Sequence, residues 1–308
     1  MKKFDEAAAA LVAQAQADLA QVCARIDALE QENQARVLRA FQQERVAARH
    51  FAPTTGYGYD DVGRDTLDKV FALAMGCEDA LVRPPFASGT HAIYTALAAL
   101  LLPGDTLLCA TGTPYDTLEQ ALGLRGGAQG SLADYGVQYR QIELTPEGEV
   151  DHEALGQALG RFGPAVVYFQ RSRGYAWRQS LCVAQLEQAF SLVRQAAPQA
   201  LIVVDNCYGE FCEEREPTQV GADLLAGSLI KNPGGGLAPC GGYVAGRHGL
   251  VERTANRLIA PGIGREVGSY AASYLPFYQG LFLAPHVTAQ SLKSAALFAR
   301  VFELLGLT

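Results

Sequence analysis

The 308-residue chain lacks the signatures of several protein classes. It has no G-x-x-x-x-G-K-[ST] stretch, which excludes the phosphate loop of nucleotide hydrolases. Gly262-Ile263-Gly264 follows Pro261 rather than a strand, so a dinucleotide fingerprint is absent as well. None of the seven cysteines forms a C-x-x-C pair, arguing against a zinc ribbon or a thioredoxin-type site. Reduced thiols in a cytoplasmic protein are the simplest reading. The five histidines are dispersed, and no metal site is expected. There is no basic run interleaved with aromatics, and a net charge of -7 argues against nucleic acid or anionic membrane as partner. No h-region follows the start MKKFDEAAAA. The longest apolar run, near Ala96 to Leu102, stops at Pro103-Gly104, far short of a membrane span. A soluble, cytoplasmic protein is expected, with a sizeable core because 49% of the chain is hydrophobic.

Residues 1–55 read as an N-terminal helical arm. Val22, Ile26 and Leu29 share one helix face, and Val37, Leu38 and Phe41 renew it. Such an arm packs on its own domain or on a neighbouring subunit. From Ala80 short β-rich runs alternate with helical stretches. The strands are expected at Ala80–Val82, Thr106–Ala110, Val137–Ile142, Ala165–Phe169, Leu201–Val204, Leu224–Ile230 and Tyr243–Ala245. The helices are expected at His91–Leu102, Tyr115–Gly123, His152–Leu159 and Ala184–Ala196. This alternation predicts an α/β fold with a mostly parallel sheet flanked by helices. Its ligands collect at the carboxyl ends of the strands. Residues 56–262 are expected to form the ligand-binding large domain, and 263–308 a connecting segment and the start of a C-terminal domain.

The loops at those strand ends carry reactive side chains. Lys231 follows the apolar run that ends in Ser228 and precedes Asn232, Pro233 and the triplet Gly234–Gly236. Alone it reads as a surface lysine beside a flexible turn; in a poorly solvated site it is a Schiff-base nucleophile. Ser88, Gly89 and Thr90 open a helix, where N–H groups and hydroxyls make an anion site or, more plainly, an N-cap. Tyr115 starts the next helix. Asp205 closes Leu201–Val204, the most apolar strand, as a cap or as the partner of a buried cation. Arg171 and Arg173 stand at another strand end, where arginine forks suit carboxylate or phosphate. Tyr57, Tyr59 and Arg64 lie in or beside a loop punctuated by Gly56, Gly58 and Gly63, suited to ligand contact. Glu213, Glu214 and Glu216 read as a solvated turn rather than a hard-cation site.

Pyridoxal 5'-phosphate needs a lysine for its aldehyde, a carboxylate for its ring nitrogen, a phosphate cup and an aromatic face. Lys231, Asp205, the Ser88–Thr90 loop with Ser228, and Tyr115 supply that set. With TTGYGYDDVGRD (Thr54–Asp65), SGTHAI (Ser88–Ile93), TGTPYDTL (Thr111–Leu118), QRSRGY (Gln170–Tyr175), VDNCYGEF (Val204–Phe211) and GSLIKNPGGG (Gly227–Gly236), the chain resembles the methionine γ-lyase-like proteins often called aluminium-resistance proteins. These are a branch of the Cys/Met-metabolism pyridoxal-phosphate enzymes. The resemblance runs from about Val37 to the end.

That resemblance implies the aspartate-aminotransferase-like fold (fold type I) and a homo-oligomer, dimer or tetramer, with its active site at a subunit interface. It makes Lys231 the Schiff-base lysine, Asp205 the pyridinium partner, Gly89, Thr90 and Ser228 phosphate ligands, and Tyr115 the stacking aromatic. Tyr59 becomes a second catalytic residue brought from a neighbouring subunit. The implied reaction is elimination from a sulfur-containing amino acid through an external aldimine, breaking a carbon–sulfur bond. A transamination or γ-replacement would use the same residues, and a non-enzymatic metal-tolerance protein is the remaining alternative. The Tyr-x-Arg pair of better-known γ-lyases is broken here, since Asp60 and Asp61 follow Tyr59; Arg64 is the nearest substitute. Relatives continue beyond the equivalent of Thr308, so the chain looks C-terminally truncated. With that part missing, Arg171 or Arg173 is left to bind the substrate carboxylate. The helix from His286, with Leu292, Leu297, Phe298, Val301, Phe302 and Leu305 on one stripe and Gly306 as its cap, is then expected to expose an apolar patch.

Overall fold

Seven short runs rich in aliphatic residues pair into one sheet. The computed structural model describes residues 2–126 and 129–307. The strands are β1 (Asp79–Arg83), β2 (Thr106–Cys109), β3 (Gln138–Gln141), β4 (Val166–Gln170), β5 (Leu201–Asp205), β6 (Leu224–Ser228) and β7 (Gly242–Gly246). Their order across the sheet is β1-β7-β6-β5-β4-β2-β3. Only β7 runs against its neighbours; the other pairs are parallel. Every residue of β4, β6 and β7 is buried, as expected where helices cover both faces. The edge strand β3 keeps polar side chains outward.

The helices are α1 (Lys2–Asp18), α2 (Ala20–Gln43), α3 (Val62–Met75), α4 (Gly89–Leu100), α5 (Asp116–Leu122), α6 (His152–Phe162), α7 (Val183–Ala196), α8 (His248–Leu258) and α9 (Leu275–Leu304). The period of two along each strand splits the core between the two faces. Phe71, Phe169, Phe190 and Tyr243 pack on one side, and Leu81, Ile93, Tyr168 and Val244 on the other. Among the described residues, no helix is long and apolar enough to cross a membrane.

Three expectations are corrected. The arm is two helices and stops at Gln43, where Arg45 turns left-handed with φ 49°. The strand expected to reach Ile230 ends at Ser228, and Ile230 faces solvent. The last helix begins at Leu275 rather than His286, carrying Pro285 in its interior. A proline there reads as a helix stop in sequence, but it is buried against the core and the helix continues.

The arm covers part of the stripe expected to be bare on α9. Phe41 meets Phe282 edge-on at 5.5 Å, and Gln34 donates to the Phe282 carbonyl at 3.0 Å. Glu30 pairs with His286, Asp27 with Lys293, and Asp18 with Arg300. Leu292, Leu297 and Val301 are thereby half-buried, while Phe298, Phe302 and Leu305 remain exposed. Gly306 caps the helix with φ 74°, its N–H on Glu303 and that of Leu307 on Phe302. Leu307 starts no strand, and Thr308 lies outside the described residues.

Candidate active site

Strands β4 and β5 end level with one another, with Gln170 opposite Asp205, and β6 runs on past Ala226, which faces Asp205, to Ser228. At these carboxyl ends, where the turns into the following helices leave a crevice, lies a cavity of about 530 Å³. Ser88, Gly89 and Thr90 form one wall; Tyr115, Asp205, Ser228 and Lys231 complete it. The seven residues expected to hold a cofactor therefore converge from four loops.

The Ser88–Thr90 wall combines both of its sequence readings. Ser88 is an N-cap, its hydroxyl accepting from the His91 N–H at 3.1 Å, and it lines the cavity as well. The first turn of α4 leaves N–H groups without helical partners beside that space. A Cβ on Gly89 would stand 3.0 Å from the Ser228 Cβ and 3.4 Å from the Cys207 Sγ, so glycine keeps this cradle open. Thr90 Oγ1 accepts from the Tyr115 hydroxyl at 3.0 Å and lies 3.2 Å from Thr117 Oγ1. The Tyr115 N–H donates to Gln170 at 3.0 Å, which fixes the ring at the mouth of α5.

Asp205 is buried, with Oδ1 accepting the Cys207 N–H at 3.0 Å and Oδ2 facing the Tyr168 hydroxyl at 3.4 Å. Burial pushes its pKa up, against the pull of these donors and of Lys231. A carboxyl in that state takes its charge when a cationic partner arrives. Burial works to lower the Lys231 pKa, but Cys207, Asp205 and Tyr208 outweigh it and hold the amine on the charged side. Its Nζ lies 4.2 Å from the centroid of the Tyr208 ring.

Two glycines of the triplet after Lys231 are required by close backbone packing. A Cβ on Gly234 would stand 1.8 Å from the Leu229 carbonyl, and one on Gly235 2.3 Å from the Gly280 carbonyl of α9. These glycines let α9 sit against the lysine turn and so fix its course.

The arginines expected to bind substrate are not at the cavity. Arg171 is buried, donating to Asn206 Oδ1 at 2.9 Å and to the Gly209 carbonyl at 2.8 Å, and pairing with Glu213 and Glu216. The acidic stretch Glu213–Glu216 is thus no solvated turn: Glu216 is wholly buried, and Glu213 also accepts the Val183 N–H that starts α7. Arg173 is exposed over Trp177, on a neighbouring cavity of about 570 Å³. Arg64 is buried and donates to the carbonyls of Gly58, Glu266 and Gly268, so it shapes its loop rather than meeting a ligand. Tyr57 and Tyr59 stand 6.0 Å apart, 74% and 60% exposed, outside the cavity lining.

Among the cavity residues that the sequence did not single out are two beside Asp205. Cys207 and Tyr208 both line the cavity. Their signal was only their place two and three residues after Asp205, and a turn following a strand gives no direction to its side chains. Asp79, His248 and Glu252 bring three potential ligand atoms together at the opposite end of β1, but Arg265 already bridges Asp79 and Glu252.

A mostly parallel sheet with a lysine, a buried carboxyl and a helix N-terminus at its carboxyl end defines the large domain of pyridoxal-phosphate enzymes of fold type I. At the level of fold alone, the pyridoxal-5'-phosphate dependent protein YhfS from Escherichia coli agrees, with a TM-score of 0.66 at 20% identity over 87% of this chain and 67% of that one. The chain belongs to the methionine gamma-lyase family, which it matches over residues 8–308. It is 48% identical over 294 residues to the uncharacterized protein YnbB of Bacillus subtilis, covering 95% of this chain and 70% of that protein. A structure from Clostridium novyi, described as a carbon-sulfur lyase involved in aluminum resistance, superposes with a TM-score of 0.95 at 43% identity; the match covers 99% of this chain and 73% of the other. One from Listeria monocytogenes, provisionally assigned as a cystathionine beta-lyase involved in aluminum resistance, gives 0.94 at 47% identity, covering 96% and 73%.

Proposed function

We propose that this chain is a pyridoxal-phosphate-dependent carbon–sulfur lyase acting on a sulfur-containing amino acid. The observation that carries the reading is the convergence of Lys231, Asp205 and the Gly89–Thr90 cradle in one cavity. The donor set fits the cofactor: an amine for the aldehyde, a buried acid awaiting a cation, and an open helix N-terminus for the phosphate. The carbon–sulfur chemistry is supported by the family and by the description of the Clostridium structure.

Pyridoxal phosphate, when bound, supplies an aldehyde and an electron-withdrawing ring. Lys231 would hold it covalently, and its amine, when free, would move a proton between substrate carbons. Asp205 would keep a proton on the ring nitrogen, and its burial would strengthen that pairing. Gly89, Thr90 and Ser228 would hold the phosphate, and Tyr115, tied to Thr90, would orient the ring. Tyr57 and Tyr59 are exposed on an anchored loop and do not line their own cavity, which supports a second copy as the place where they act. All seven cysteines are free thiols, which supports a reducing, cytoplasmic setting.

Purified protein should show the visible absorption of the bound cofactor, and borohydride should fix the cofactor to Lys231. Incubation with sulfur-containing amino acids should release thiol, ammonia and a keto acid together. Amino-group exchange without ammonia would assign an aminotransferase instead, and fixation to another lysine such as Lys293 would overturn the site.

A further inference from the structure

Five residues beyond Asp205, the same turn buries a second carboxyl that the proposed reaction leaves without a role. Glu210 is wholly buried. Its Oε1 accepts from the Tyr243 hydroxyl at 2.6 Å. Its Oε2 is shielded from solvent and has no hydrogen-bond partner among the described residues. The Tyr243 phenol reaches it by crossing Gly227, where a Cβ would stand 2.7 Å from the ring and 2.8 Å from the hydroxyl. Gly227 directly precedes Ser228 of the cavity wall, so the niche is built immediately behind that wall.

The niche is tied to the lysine. Asn232, next to Lys231, donates its side-chain N–H to the Glu210 carbonyl at 3.0 Å. Tyr208 and Phe211, on either side of Glu210, are both left-handed, with φ 68° and 60°. The turn is therefore held in a conformation that side chains seldom adopt, braced by Arg171 on the Gly209 carbonyl.

The two buried carboxyls meet different surroundings. Asp205 accepts a backbone N–H, faces a hydroxyl and opens on the cavity. Glu210 has a single hydroxyl donor and one bare oxygen. A charge with a bare buried oxygen is strongly penalised, whereas the neutral acid is not. Carboxyls in such unequal environments take different protonation states.

We propose that Glu210 is a positioning residue kept as the neutral acid by its Tyr243 niche, so that no second negative charge behind the wall adds to the pull that already holds the Lys231 amine as ammonium. The proposal rests on the function proposed for Lys231. The groups facing Glu210 are Tyr243 from β7, Lys231 beyond β6, Cys207 and Cys212 from its own turn, and Glu216 beyond that turn. Burial dominates, and with Glu216 it outweighs Tyr243 and Lys231, pushing Glu210 up to about 8.

The test is Glu210→Gln, which keeps the shape and removes the titration. In the unfolded chain a glutamate gives up its proton near its ordinary pKa of about 4.3. Between that value and about 8 the wild-type fold keeps a proton that the unfolded chain has lost, so the fold loses stability as pH rises. The melting temperature of the variant minus that of wild type should therefore rise from about pH 5 to about pH 8 and level off above. A difference that stays flat across that range, or falls, overturns the proposal. Infrared spectra of wild type at pH 7 should show a protonated-carboxyl stretch that Tyr243→Phe shifts by removing its hydrogen bond; absence of that band overturns it too, whether or not the Gln variant folds. In the presence of pyridoxal phosphate, borohydride trapping on Lys231 should fall off above about pH 8 in wild type relative to the variant. If wild type traps no cofactor at any pH, the proposed function fails, while the melting and infrared measurements still decide Glu210.

Discussion

Lys231 lies with its Nζ 4.2 Å from the centroid of the Tyr208 ring, and Tyr208 presents that ring from a left-handed backbone with φ 68°. The reactive amine thus has a defined resting place on the cavity wall, set by the turn that follows Asp205.

Lys231→Ala should abolish cofactor fixed by borohydride while leaving the fold intact. A half-buried lysine held by one aromatic contact contributes about 0.5–1 kcal/mol, so the denaturation midpoint should shift only slightly. Mass spectrometry of the reduced protein decides the first point and urea unfolding the second. Label remaining on a different lysine would move the site elsewhere.

Asp205→Asn should retain cofactor yet slow turnover by about two orders of magnitude or more, because an amide cannot hold a proton on the ring nitrogen. It should also change the cofactor-free chain. Burial raises the Asp205 pKa above its unfolded value, so ionisation of Asp205 makes the free chain less stable as pH climbs above about 4. The Asn variant should lose that part of the slope, as melting curves from pH 4 to pH 8 would show. Identical slopes and unchanged turnover would rule the pairing out.

Arg171→Met should act on the fold rather than on substrate affinity. It takes a charge partner from Glu213 and from the buried Glu216, which keeps only Arg36 as a counter-ion, and removing one partner of such a network costs about 3–5 kcal/mol. A variant of wild-type stability with a raised KM would restore Arg171 to the substrate.

Phe298, Phe302 and Leu305 remain 65%, 47% and 57% exposed on α9 beyond the reach of the arm. The purified chain should therefore self-associate with rising concentration. Phe298→Ser with Phe302→Ser should weaken that association at unchanged melting temperature. Sedimentation velocity reads both, and a wild-type chain monomeric at every concentration would show the patch to be inert.

The cavity wall was legible in the sequence because its members sit at fixed offsets from strand ends. Ser88, Asp205 and Lys231 each follow an apolar run whose end marks the crevice. What failed was direction. Arg171 stands where a ligand-binding arginine would, yet it turns inward because Glu216, 45 positions on, is buried beside it. Glu210 escaped notice because its partner, Tyr243, comes from the one antiparallel interior strand, across a glycine whose purpose shows only in three dimensions. Pro285 hid the first ten residues of α9, since a proline is a stop signal only where the packing around it does not hold the helix together.

Arg64 gathers the carbonyls of Gly58, Glu266 and Gly268 onto one guanidinium, binding the loop of Tyr57 and Tyr59 to a segment some 200 residues away. The conformational entropy of that loop is therefore lost when the chain folds, not when it meets another molecule. Ordering a mobile aromatic side chain on association costs about 0.5–1.5 kcal/mol. With the loop backbone set in advance, a neighbour that receives these two rings has only that side-chain cost left to offset against their buried area.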